Sequence, residues 1–217
     1  MRGLVAALVI GAGSVVAAQT AVPAQLPTEV SQQVRQFEGT LRAAIEGAVG
    51  RLAARARQVV PDVALQFLTG TRVTSLILPD DEGYMFITEA PAIEATSALF
   101  FEAYLRMSQP RPASPATPAG VTAPAVVGFP KGPIQEYSSY VRQALIDSIL
   151  DNTRALPINE GQTLTVIETG GQPVNPNPLE DAPRKLYLKI KGADLLALRL
   201  NRIDREEAKK RISETVR

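Results

Sequence analysis

Between Ser108 and Pro133 the chain reads SQPRPASPATPAGVTAPAVVGFPKGP, with seven prolines among small residues. No helix or ladder strand runs through such a stretch, because each proline lacks a backbone N–H and fixes φ near −65°. Its side chains bury too little apolar surface to offset the entropy of ordering. Residues 108–133 are therefore predicted to be a flexible linker or large loop, an insertion that loop-closure entropy tolerates. The fold must be assembled from two separate stretches, 19–107 and 134–217, either as two small domains or as halves of one.

The first stretch opens on a polar, proline-containing leader and then becomes periodic. Val30, Val34, Phe37, Leu41, Ile45, Ala48 and Leu52 recur at spacings of four and three. That is the apolar stripe of an amphipathic helix over residues 29–60. Thr28 suits the N-cap and Glu29 the first turn; Arg51, Arg55 and Arg57 suit the C-terminal end, and Pro61 stops it. Gly39, Gly47 and Gly50 each weaken the helix by about 1 kcal/mol relative to alanine. The stripe has two uses: packing on a sheet of the same chain, or a seam between chains. The second makes Val34, Phe37 and Leu41 candidate partner-binding residues.

Three strand-like runs follow, VALQFL (63–68), VTSLILP (73–79) and YMFITEA (84–90), predicted as an antiparallel meander. DDEG joins the last two as a hairpin, with Gly83 free to take positive φ. Along 84–90, Tyr84, Phe86, Thr88 and Ala90 point one way, and Met85, Ile87 and Glu89 the other. Both sides are largely apolar, which is the mark of an interior strand of a covered sheet. Tyr84 and Phe86 are expected against a helix, and Met85 and Ile87 against another layer. Residues 93–107 read as a helix faced by Ile93, Leu99, Phe100, Ala103 and Tyr104, with a continuing strand as the alternative.

The second stretch repeats the order without repeating the sequence. Tyr137, Val141, Leu145, Ile146 and Ile149 predict a core-facing helix over 134–154, with Pro157 beyond its end. QTLTVIET (162–169) reads as a strand with Leu164, Val166 and Glu168 on one face and Thr165 and Ile167 on the other. After a turn-rich loop, KLYLKIKG (185–192) alternates Leu186, Leu188 and Ile190 against Lys185, Tyr187, Lys189 and Lys191, one face buried and one wet and basic. ADLLALRLN (193–201) is a short helix. Asp204 then caps a second, REEAKKRISETV, pinned by Ile203, Ala208 and Ile212. The predicted class is α+β: an antiparallel or mixed sheet of about five strands packed by two longer helices, with a helical C-terminus and a proline-rich insert.

Residues 1–18, MRGLVAALVIGAGSVVAA, carry Arg2, an apolar run and small residues before Gln19, the pattern of a cleaved secretory signal peptide. The run is short of the ~20 apolar residues that span a bilayer. The expected mature protein is therefore exported, periplasmic or secreted, with no integral membrane span after cleavage. Absence of cysteine excludes a disulfide framework and suits a bacterial periplasm. The net charge of +1 supplies no field to draw nucleic acid.

The chain has no histidine and no cysteine. That removes the Ser-His-Asp triad, thiol nucleophiles and the usual zinc ligands. No GxSxG, GxxxxGK[ST] or strand-borne GxGxxG occurs outside the leader. Asp80, Asp81 and Glu82 lack EF-hand spacing and read as a solvated turn. Asp147 with Asp151, Glu160, and Ser138 and Ser139 near Lys131 carry no catalytic spacing. No catalytic residue, metal site or cofactor is assigned.

The functional reading is a non-catalytic exported protein-interaction module. Its partner is another envelope protein, or a second copy through helix 29–60. Lys185, Lys189 and Lys191 are candidate partner-binding residues, against a plain reading as the wet side of an edge-proximal strand. The alternative is a carrier of a small apolar ligand lined by Phe86, Phe100, Phe101 and Tyr104. A carboxylate-based hydrolase is the third reading.

Overall fold

The computed structural model describes residues 28–61, 64–68, 70–79, 82–108, 133–152, 154, 156–170 and 185–217. The predicted signal segment and nearly all of the proline-rich linker lie outside the described residues. The class is α+β, with five helices, a five-stranded mixed sheet and a separate two-stranded sheet among the described residues. The elements are α1 (Thr28–Val59), β1 (Phe67–Leu68), β2 (Arg72–Leu78), β3 (Gly83–Glu89), β4 (Ala92–Ile93), α2 (Ala95–Ser108), α3 (Pro133–Asn152), β5 (Thr163–Thr169), β6 (Lys185–Lys191), α4 (Gly192–Arg199), α5 (Arg205–Lys210) and β7 (Ser213–Val216).

The apolar stripe of α1 is its buried face, from Val34 to Ala56. It packs along α3 and onto β2 and β3. Phe37 meets Phe86 of β3 edge-on, and Tyr137 of α3 meets Phe67 of β1 in the same manner. Leu164, Val166, Leu188 and Ile190 complete the core from the sheet side. Glu38 reaches from α1 to accept the Ser75 N–H at 2.9 Å. That blunts edge strand β2, which otherwise offers unpaired backbone groups.

The sheet order is β2-β3-β5-β6-β7. All neighbours are antiparallel except β3 and β5, which run parallel with Phe86 opposite Val166 and Ile87 opposite Ile167. This parallel pair joins the two halves of the chain. Gly83 makes it possible. Its φ is +122°, and a Cβ there would lie 2.2 Å from the Thr163 carbonyl oxygen.

Several expectations from the sequence are corrected. Helix α2 begins at Ala95, so Ile93 lies in β4, and Leu99 and Phe100 point to the exposed side of α2 and not to the core. The run 63–68 is not the first strand of a meander: its described part supplies only Phe67 and Leu68, which pair with Ala92 and Ile93 outside the main sheet. The last predicted helix stops at Lys210, and Ser213–Val216 forms β7. Asp204 caps α5 as expected, accepting the Glu207 N–H at 2.7 Å. Beyond it, β6 presents an unpaired edge. Satisfying those backbone groups outweighs the local helical pattern of a four-residue tail rich in Thr and Val.

Candidate functional site

Among the described residues, α1 and the α3 packed along it lie on one face of the sheet. On the other, strand alternation and register place Leu76, Met85, Thr165 and Lys189 in one row and Thr74, Ile87, Ile167 and Tyr187 in the next. Leu76 is 47% exposed, and Met85, Ile87, Ile167 and Tyr187 are half-buried. They form an apolar track across β2, β3, β5 and β6. Lys185, Lys189 and Lys191 line its β6 side, all exposed. The Arg217 guanidinium sits over the Tyr187 ring, 5.6 Å from its centroid, which adds a cation to the same border. At the far corner Arg72 faces Glu89 at 3.9 Å, an exposed pair of little energetic weight.

A second feature lies where the N-terminal half of α3 passes over the ends of β5, β6 and β7. There a cleft of about 540 Å³ is lined by Ile134, Ser138, Arg142, Glu168, Leu186 and Val216 among others. Glu168 follows Leu164 and Val166 on the helix-covered face of β5. Burial pushes its carboxyl up from its ordinary 4.5 to about 7. Arg142, the cation of the cleft, is paired within it with Glu214 of β7, to which it donates two hydrogen bonds of 2.6 Å. Ser138 donates to the Ile134 carbonyl at 3.1 Å, so its hydroxyl hydrogen is committed to its own helix. Beneath the cleft, the Tyr137 hydroxyl donates to the Pro91 carbonyl at 2.8 Å. Burial, and secondarily the Glu168 charge, raise its pKa.

The residues singled out from sequence are dispersed. Val34, Phe37 and Leu41 are buried in the core. Phe86 and Phe101 are fully buried, whereas Phe100 is 68% exposed on α2. The structure therefore does not gather Phe86, Phe100 and Phe101 around one cavity, and the Tyr104 side chain lies outside what is described. Lys185, Lys189 and Lys191 do share one surface. Asp147 and Asp151 both accept from Arg205 of α5, so they tie α5 to α3. Asp80 and Asp81 lie outside the described residues. Glu168 was not singled out, although an acid on the same face as Leu164 and Val166 was the signal to follow.

Among the described residues no group of acidic side chains could hold a metal ion, and no helix is long and apolar enough to cross a membrane. Comparison with known proteins finds no matching family, no similar curated protein and no similar solved structure.

Proposed function

We propose that this chain is a non-catalytic, exported interaction module that docks an acidic amphipathic helix of another envelope protein on the open face of its sheet. The apolar track through Leu76, Met85, Ile87, Ile167 and Tyr187 carries the reading. Strands apolar on both faces are usually covered on both, and among the described residues β3 and β5 are helix-covered on one only. A helix laid across the track removes that apolar surface from water, at about 25 cal/mol per Å² before the costs of association.

The chemistry of the partner follows from the border. Lys185, Lys189, Lys191 and Arg217 stand beside the track, while the whole chain is only +1. A helix with carboxylates along one flank meets them, gaining association rate and register. Export rests on the leader pattern of residues 1–18.

The test is a photocrosslink from the full chain in its native cell, with p-benzoylphenylalanine in place of Met85 and, as control, of Leu200. The expected product joins position 85, and not position 200, to an acidic amphipathic segment of another protein, and weakens in K189E/K191E. A crosslink within the same chain, to a second copy, or to a neutral or basic segment overturns the proposal, as does no crosslink at all.

A further inference from the structure

The cleft beside α3 holds a carboxylate without a mate. Glu168 has no side-chain hydrogen bond or ion pair among the described residues, and burial is the only resolved cause of its shift. Its side chain is half-buried, and a carboxylate partly removed from water with no partner is costly. The charged and titratable groups around it do not supply that partner. On α3, Arg142 is held by Glu214, and Tyr137 gives its proton to Pro91. On β7, Glu214 is itself an acid. On β6 the paired residue is Leu186, and on β3 it is Thr88, whose hydroxyl donates to the Ile167 carbonyl.

The surrounding walls are of two kinds. Ile134, Leu186 and Val216 are apolar, while Gln135, Ser138 and Ser139 offer oxygen acceptors. The volume of about 540 Å³ accommodates a small ligand or a single long side chain. We propose that this cleft binds a primary ammonium on a short apolar stem, with the ammonium on Glu168 and the stem against Ile134, Leu186 and Val216. An ammonium has three donors and no acceptor, which matches one carboxylate flanked by hydroxyl and amide oxygens. Anions are disfavoured, because both carboxylates of the cleft repel them and the Arg142 charge is already paired with Glu214. The site is distinct from the open sheet face: its lining comes from α3 and from the helix-covered side of β5, β6 and β7.

Protonation of Glu168 competes with the ligand. Ammonium binding favours the carboxylate form, so affinity rises as pH climbs through the Glu168 pKa and levels off above it. The probe is n-butylamine, titrated into the full chain and followed by amide shifts of Glu168, Gly170 and Leu186, with n-butanol and butyrate as neutral and anionic controls. The expected result is an apparent affinity for the amine about tenfold higher at pH 7 than at pH 5.5, and little further gain above pH 8. Glu168→Gln is expected to weaken the amine at least about tenfold at pH 8, toward the level of butanol. Because this substitution is isosteric and removes a buried charge, retained circular dichroism separates loss of binding from loss of fold. Glu206→Gln, at an exposed carboxylate of α5 outside the cleft, serves as a second variant and is expected to retain amine binding. Amine binding that survives Glu168→Gln, that is lost equally in Glu206→Gln, or that butanol or butyrate equals, overturns the proposal. So does the absence of any shift at millimolar amine.

Discussion

The ring of Phe37 stands edge-on to that of Phe86, with centroids 4.9 Å apart and planes at 71°. One contact thus fastens the stripe of α1 to interior strand β3 of the sheet, between two residues that are both essentially buried. Phe37→Ala is expected to destabilise the fold by about 3–5 kcal/mol through lost burial and the cavity left behind. The edge-on pairing contributes about 0.5–1.5 kcal/mol of coupling with Phe86. Denaturant unfolding of both single variants and the double variant measures both quantities.

Two glycines should respond in opposite directions to the same change. Gly83 has φ +122° and no room for a Cβ against the Thr163 backbone, so Gly83→Ala is expected to cost about 2 kcal/mol or more. Gly47 lies within α1 with nothing within 4 Å of an added Cβ, so Gly47→Ala is expected to stabilise by about 1 kcal/mol. Thermal melts of the two variants check both signs.

Glu168 should make stability fall with rising pH. Its folded pKa is raised from 4.5 to about 7, so between these values the folded chain holds a proton that the unfolded chain has released. The stability associated with the protonated form is complete below pH 4.5 and is lost as pH rises to about 7. The loss is on the order of 3 kcal/mol at most. Glu168→Gln is expected to match the parent near pH 4.5 and to exceed it by about 2–3 kcal/mol at pH 8. Urea unfolding at the two pH values is the measurement, and equal differences at both would refute the assignment.

The Arg142–Glu214 pair holds β7 to α3 by two hydrogen bonds of 2.6 Å. Both side chains are partly exposed, so Glu214→Gln is expected to cost less than about 1 kcal/mol globally. Its effect should be local: faster amide exchange across Ser213–Val216, with β3 and β5 unchanged. Hydrogen exchange resolved by residue distinguishes the two.

The helices α1 and α3, the β2–β3 hairpin and the alternation of β6 were legible because each is written in local periodicity. What local pattern does not encode is the neighbour. VALQFL has strand composition, yet its described part pairs only over Phe67 and Leu68, with a partner about 25 residues later. SETV continues a helical charge pattern but is drawn into the sheet by the vacant edge of β6. Met85 and Ile87 were expected beneath a second layer. Among the described residues that face carries no helix, and this is what marks it as the proposed docking surface. For the cleft, alternation gave the side on which Glu168 lies. Its isolation depends on Arg142 choosing Glu214, a pairing 72 residues apart.

The parallel seam between β3 and β5 also sets the order of events as the chain is made. Thr88 donates its hydroxyl to the Ile167 carbonyl, 79 residues downstream, so β3 of the N-terminal half keeps one side open until the second half arrives. Pairings so remote slow folding. A chain emerging N-terminus first therefore holds β3 in waiting through the synthesis of α2, the proline-rich stretch and α3. During that interval it is a thread that a chaperone can hold, and it becomes a complete sheet only when β5 pairs beside it.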